Sequence, residues 1–130
     1  MEEELLYRAI EMKKKSEEAE KSLEFVSEQI AELGNFSKNL ELLENEKEKE
    51  MLSHLGRGVF MKTDRKEDKF FIDVGAGVFL RKTNKETREV IAKQITKFNE
   101  AKVQIIAELE SYAEQFKEMM GEFEKIKNAK

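Results

Sequence analysis

Two stretches of this chain decide its fold: Leu55-Gly56-Arg57-Gly58-Val59-Phe60-Met61, and Phe71-Ile72-Asp73-Val74-Gly75-Ala76-Gly77-Val78-Phe79-Leu80-Arg81-Lys82-Thr83. In each, an apolar run meets a short glycine-flanked turn and resumes beyond it. Residues 51–55, 59–63, 70–74 and 78–82 have the lengths and residue types of strands, and residues 64–68 supply a charged connection between the pairs. The spacing predicts two consecutive β-hairpins. Their apolar residues, Val59, Phe60, Met61, Phe70, Phe71, Ile72, Val74, Val78, Phe79 and Leu80, fall on both faces of the strands. A lone hairpin is marginally stable in water, so both faces need cover, and oligomerisation through these residues is the expected source of it.

Outward from the hairpins the composition changes. All three aspartates and four of the six glycines lie in residues 51–88, which carry 9 bases and 5 acids. Residues 1–50 carry 15 Glu against 8 Lys and Arg, and residues 89–130 carry 8 Glu against 7 Lys. Asp and Gly disfavour helix interiors whereas Glu, Lys and Leu support them, which predicts a helix, a non-helical insert and a second helix. Thr83-Asn84-Lys85-Glu86 has the Ser/Thr-x-x-Glu form of a capping box and marks the start of the second helix. The expected organisation is one domain: a coiled-coil helix over 1–49, a double β-hairpin over 50–83 and a second coiled-coil helix over 84–130.

Both arms keep an unbroken 4,3 spacing of mainly apolar residues. The first reads Leu5, Ala9, Met12, Ser16, Ala19, Leu23, Val26, Ile30, Leu33, Ser37 and Leu40. The second reads Ile91, Ile95, Phe98, Lys102, Ile105, Leu109, Tyr112, Phe116, Met119, Phe123 and Ile126. This is the heptad seam of a coiled coil. Each arm is about 40 residues and so about 60 Å long as a helix, too long to bury its own apolar stripe. Folding back through the insert makes the arms antiparallel. Positions summing to 131 or 132 then set Ala9 against Phe123, Ser16 against Phe116, Ala19 against Tyr112 and Ser37 against Ile95, small against large, as dense packing requires. Phe25 and Ile106, matched by the same sum, are expected to broaden this core. Dimerisation of each arm with another chain is the alternative.

The hairpin residues together with the flanking coiled coils resemble the prefoldin family, specifically its alpha class, over essentially the whole chain. The most specific part is Val74-Gly75-Ala76-Gly77-Val78. The resemblance implies a mainly α fold, a long antiparallel coiled-coil hairpin with two β-hairpins inserted that form a β-barrel platform in the oligomer. It implies a chaperone working without nucleotide in the cytoplasm: two alpha-class subunits join four beta-class subunits in a hexamer, coiled-coil tips hold non-native client proteins, and a group II chaperonin receives them. Self-assembly of this chain is the other arrangement. Near the free ends, Leu5, Leu6, Ile10, Met119, Met120, Phe123 and Ile126 are the expected client-binding residues, because fraying termini expose apolar groups and flexible methionines fit varied partners. A scaffold protein whose tips bind one defined folded partner is the alternative function.

Other chemistries find little here. The sequence has no cysteine and one histidine, His54, which excludes thiolate sites and leaves a histidine relay nothing to draw on. Gly75-Ala76-Gly77 lacks a following glycine or Gly-Lys-Ser/Thr and stands between strands instead of before a helix, so no nucleotide cofactor is expected. Asp64, Asp68 and Asp73 lack EF-hand spacing, and no metal is expected. The basic insert is as apolar as it is charged, favouring subunit contact over nucleic acid. No apolar run reaches the roughly 18 residues of a membrane span. No catalytic residue is assigned.

Overall fold

The computed structural model describes residues 2–47 and 49–129; Met1, Glu48 and Lys130, which the expected segments 1–49 and 84–130 include, lie outside the described residues. The element order is α1 (Glu2–Asn45), β1 (Glu50–Gly56), β2 (Val59–Asp64), β3 (Lys69–Asp73), β4 (Phe79–Thr83) and α2 (Asn84–Asn128). Two long helices with two small antiparallel hairpins between them are the expected fold class. The chain packs as two units, residues 1–31 with 96–130, and residues 32–95.

In the first unit α1 and α2 pair along their seams. Leu5 and Ile126 line one groove, and Ser16 and Phe116 line another, an antiparallel register with sums of 131 and 132. Leu5, Ala19, Val26 and Met119 are buried. Packing of small against large is incomplete, however. Phe116 is 44% and Phe123 42% exposed, because a two-helix seam is about one side chain wide and an aromatic ring opposite Ser16 or Ala9 overhangs it. Phe25 and Ile106 do not broaden the core; both are exposed. Each follows or precedes a seam position by one residue, and about 100° of helical rotation carries it off the seam.

The second unit holds the hairpins. β1 pairs with β2 and β3 with β4, as two separate two-stranded sheets. The first turn places Arg57 at φ 49° and Gly58 at φ 77°, the sign pattern of a type I′ turn, whose twist matches that of the strands it joins. The second runs through Gly75, Ala76 and Gly77, all at positive φ. It is closed by the Val78 N–H donating to the Gly75 carbonyl at 3.0 Å and by the Gly75 N–H donating to the Asp73 carboxylate at 2.9 Å.

The helix ends that meet the hairpins are closed by side chains. At α2 the capping box forms in both directions: the Thr83 N–H donates to Glu86 Oε1 at 3.0 Å and the Glu86 N–H to Thr83 Oγ1 at 3.1 Å. The α1 end has no basic residue in its last turn, and its carbonyls are met from a distance. Arg65, in the β2–β3 connection, donates to the Leu43 carbonyl at 2.7 Å and the Glu46 carbonyl at 3.0 Å. Buried Asn84 donates to the Leu40 carbonyl at 2.7 Å and accepts from Arg88 Nε at 2.8 Å, while Arg88 also pairs with Glu44.

Candidate assembly and binding surfaces

Strand register determines which hairpin residues share a face. In the β3–β4 hairpin, Phe71 lies opposite Arg81 and Asp73 opposite Phe79, so these four stand on one face. The Arg81 guanidinium lies 5.6 Å from the centroid of the Phe71 ring and pairs with Glu67. Phe71 is 63% and Phe79 58% exposed, a very large apolar exposure for strand residues. The opposite face carries Phe70 and Ile72, both half-buried, beside an apolar groove whose other wall is built by Leu33, Leu40 and Ile91. Phe70 and Ile72 are thus partly covered within the chain, whereas Phe71, Val74, Val78, Phe79 and Leu80 are open.

In the β1–β2 hairpin, Met51, Ser53, Met61 and Thr63 share one face and Leu52, His54, Phe60 and Lys62 the other. Ser53 Oγ and Thr63 Oγ1 share a hydrogen bond at 2.7 Å. His54 lies over Phe60 with ring centroids 4.8 Å apart. Leu52, Leu55, Val59, Phe60 and Met61 are all exposed. Both faces of this hairpin therefore carry uncovered apolar side chains, a state that a stable surface rarely tolerates at this density.

At the free ends of the helices the seven sequence-derived positions divide. Leu5 and Met119 are buried at 7% and 5%, inside the seam and not on the surface. Ile126 is half-buried, and Leu6, Ile10, Met120 and Phe123 are exposed. The seam claims whichever of two adjacent apolar residues falls on the 4,3 spacing, which is why Leu5 turns in beside an outward Leu6 and Met119 beside an outward Met120.

The polar junction of Arg65, Asn84, Arg88 and Glu44 was not apparent from the sequence. Its only local signal is the missing basic residue in the last turn of α1. Thr83 and Glu86 were apparent, and there the hydrogen bonds from the Thr83 backbone and hydroxyl, with Lys82 and Lys69 nearby, hold the Glu86 carboxyl below its ordinary value. Among the described residues no group of three or more Asp, Glu or His side chains could hold a metal ion, and no helix is long and apolar enough to cross a membrane.

Two long helices paired along a heptad seam, with two hairpins between them whose apolar side chains are exposed, make a coiled-coil protein with an open β surface. Comparison with known families then makes the class specific: the prefoldin subunit model matches residues 12–129, and the chain belongs to the prefoldin subunit family, a family of chaperone-type subunits that assemble with other prefoldin subunits. Among solved structures, that of filamentous PFD from Methanocaldococcus jannaschii is similar to it in fold, with a TM-score of 0.75 and 18% sequence identity over 92% of this chain and 98% of that one. No curated protein gives a significant match.

Proposed function

We propose that this chain is an alpha-class prefoldin subunit, part of a chaperone that works in the cytoplasm without nucleotide or any enzymatic step. Its two hairpins join those of beta-class subunits, two alpha to four beta, in a β-barrel platform. The free helix ends hold non-native proteins for a group II chaperonin. The observation that carries this reading is the exposure of both hairpins. Val59, Phe60, Met61, Phe71, Val74, Val78, Phe79 and Leu80 all lie open to solvent, and their apolar area is a driving force for association of about 25 cal/mol per Å2 once covered. The presence of two hairpins instead of one supports the alpha class.

Client holding is assigned to Leu6, Ile10, Met120 and Phe123, with Ile126 at their margin. Weak apolar contacts repeated over several subunits give avidity while allowing release. A second arrangement, assembly of this chain with further copies of itself, is supported by the likeness to a filamentous structure. Native mass spectrometry of the chain, alone and with a beta-class subunit, separates the two. The holding function is tested by light scattering of several unrelated denatured proteins. Suppression of aggregation is expected from the parent assembly and loss of it from Leu6→Ser/Ile10→Ser/Met120→Ser at unchanged oligomer mass; full protection by the triple variant would place capture elsewhere.

A further inference from the structure

The first unit has a groove of about 680 Å3 between α1 and α2, within the roughly 300–1,000 Å3 of clefts that take ligands. It exists because Ser16 is too small to fill the space opposite Phe116, whose ring overhangs the seam. Met12, Leu109 and Tyr112 complete an apolar floor. The two walls differ. On α2 the wall is Ala113, which leaves the floor open, whereas on α1 it consists of Lys13, Glu17 and Glu20, all exposed.

The same side of the unit continues beyond the groove. Val103, Ile106, Ala113 and Met120 recur on one face of α2 at helical spacing, and all are exposed. Leu6 and Ile10 continue α1 toward its start, also exposed. An apolar strip therefore runs through the groove with anchors seven residues apart, the repeat a packed helix presents. The charged residues bordering it on that side are Glu17, Glu20, Glu24 and Glu110 against Lys13 and Lys117, a net negative border.

Building on the chaperone reading, we infer that this groove docks a basic amphipathic helix of a non-native client. The walls are helices whose backbone groups are already paired, so an extended segment would leave its own N–H and C=O groups unsatisfied on an apolar floor, whereas a helix satisfies them internally. Apolar anchors one and two turns apart enter over Ala113, where no side chain obstructs them. Lys and Arg on the flanks meet Glu17 and Glu20. A second copy of this unit brings the same negative border and is repelled. The groove thus adds chemical selectivity that the helix ends, with their undirected apolar contacts, lack.

The test uses the assembled chain and two fluorescent 18-residue helical peptides with identical leucine faces, one bearing lysines and the other glutamates on the polar face. Fluorescence anisotropy at low and high salt gives their affinities. The lysine peptide is expected to bind at least about tenfold more tightly than its glutamate twin, with the margin narrowing as salt rises. Ala113→Arg, which hangs a long cationic side chain over the floor at an exposed helical position, should weaken the lysine peptide by about tenfold, and Glu17→Lys/Glu20→Lys should reverse the preference. Equal affinities of the two peptides for the parent, or an unchanged preference in the charge-reversed variant, would overturn the inference. Aggregation suppression measured on the same samples separates the layers: suppression without peptide selectivity removes the groove proposal alone, while selectivity without suppression removes the chaperone reading.

Discussion

Arg65 donates to the carbonyl oxygen of Leu43 at 2.7 Å across 22 residues of chain, and with its second terminal nitrogen reaches Glu46 at 3.0 Å. This guanidinium therefore helps to close the C-terminal end of α1, where the Glu46 N–H also donates to the Leu43 carbonyl and Asn84 to the Leu40 carbonyl. It also ties the β2–β3 connection to that helix end. Arg65→Met removes both charged hydrogen bonds and should cost about 2 kcal/mol in chemical denaturation at fixed protein concentration. Arg65→Lys should recover less than half of that, because a single ammonium lacks the fork that spans two carbonyls. Equal stability of Arg65→Lys and parent would show that charge alone suffices.

The capping box gives a pH dependence with a definite sign. Hydrogen bonds from Thr83 lower the Glu86 pKa in the folded chain from its ordinary 4.5. A depressed carboxylate contributes stability that is present above the unfolded value and is lost as pH falls through the folded one. Parent and Glu86→Gln should therefore differ in thermal unfolding midpoint at neutral pH and converge as the solution is acidified below 4.5. A gap between them that stays constant into strong acid would mean that the ionised carboxylate is not what the cap uses. Thr83→Ala, which removes the hydroxyl acceptor, should cost about 1 kcal/mol at neutral pH.

These two helix ends mark how far the fold was legible in the sequence. Thr83 and Glu86 are three residues apart and their geometry is local, so their types and spacing announce the cap. Arg65 and Leu43 are brought together only by the path of the first hairpin, and no local pattern marks an arginine in a charged turn as a helix cap. The 4,3 seam was legible because burial follows helical period: every α1 seam position from Leu5 to Leu40 is buried or half-buried. What the seam could not convey is how completely a two-helix pair covers an aromatic, hence the overhang of Phe116 and Phe123. At the helix ends the sequence offered Leu5 and Leu6 alike as binding residues, and only the seam separates them.

Ala19 tests the register. It is 7% exposed and belongs to a buried seam whose partner positions include Tyr112. Ala19→Phe should overpack this site and cost about 1–3 kcal/mol. The same replacement at the neighbouring exposed Glu18 should cost little. Denaturant midpoints for the two variants that fall together near the parent value would show that the pairing of small with large positions does not govern the packing.

Assembly through the hairpins can be tested so that loss of the oligomer is distinguished from loss of the hairpin itself. Phe71 stands directly across from Arg81, and Phe79 directly across from Asp73. Directly opposed charges of unlike sign stabilise a strand pair, and like charges destabilise it. Phe71→Asp therefore places its carboxylate beside a guanidinium and leaves the isolated hairpin intact, while replacing an apolar contact surface by an ion pair that must be desolvated when covered. Phe79→Asp places a carboxylate against Asp73 and weakens the hairpin as well. Both variants should lower the mass found by size-exclusion chromatography with light scattering, and both should keep the helical circular dichroism of α1 and α2. Only Phe79→Asp should also raise amide exchange in β3 and β4. An unchanged mass for Phe71→Asp would mean that the Phe71 face is not the one that other subunits cover, and the assembly surface would then have to be sought on Leu52, Phe60 and Met61 of the first hairpin.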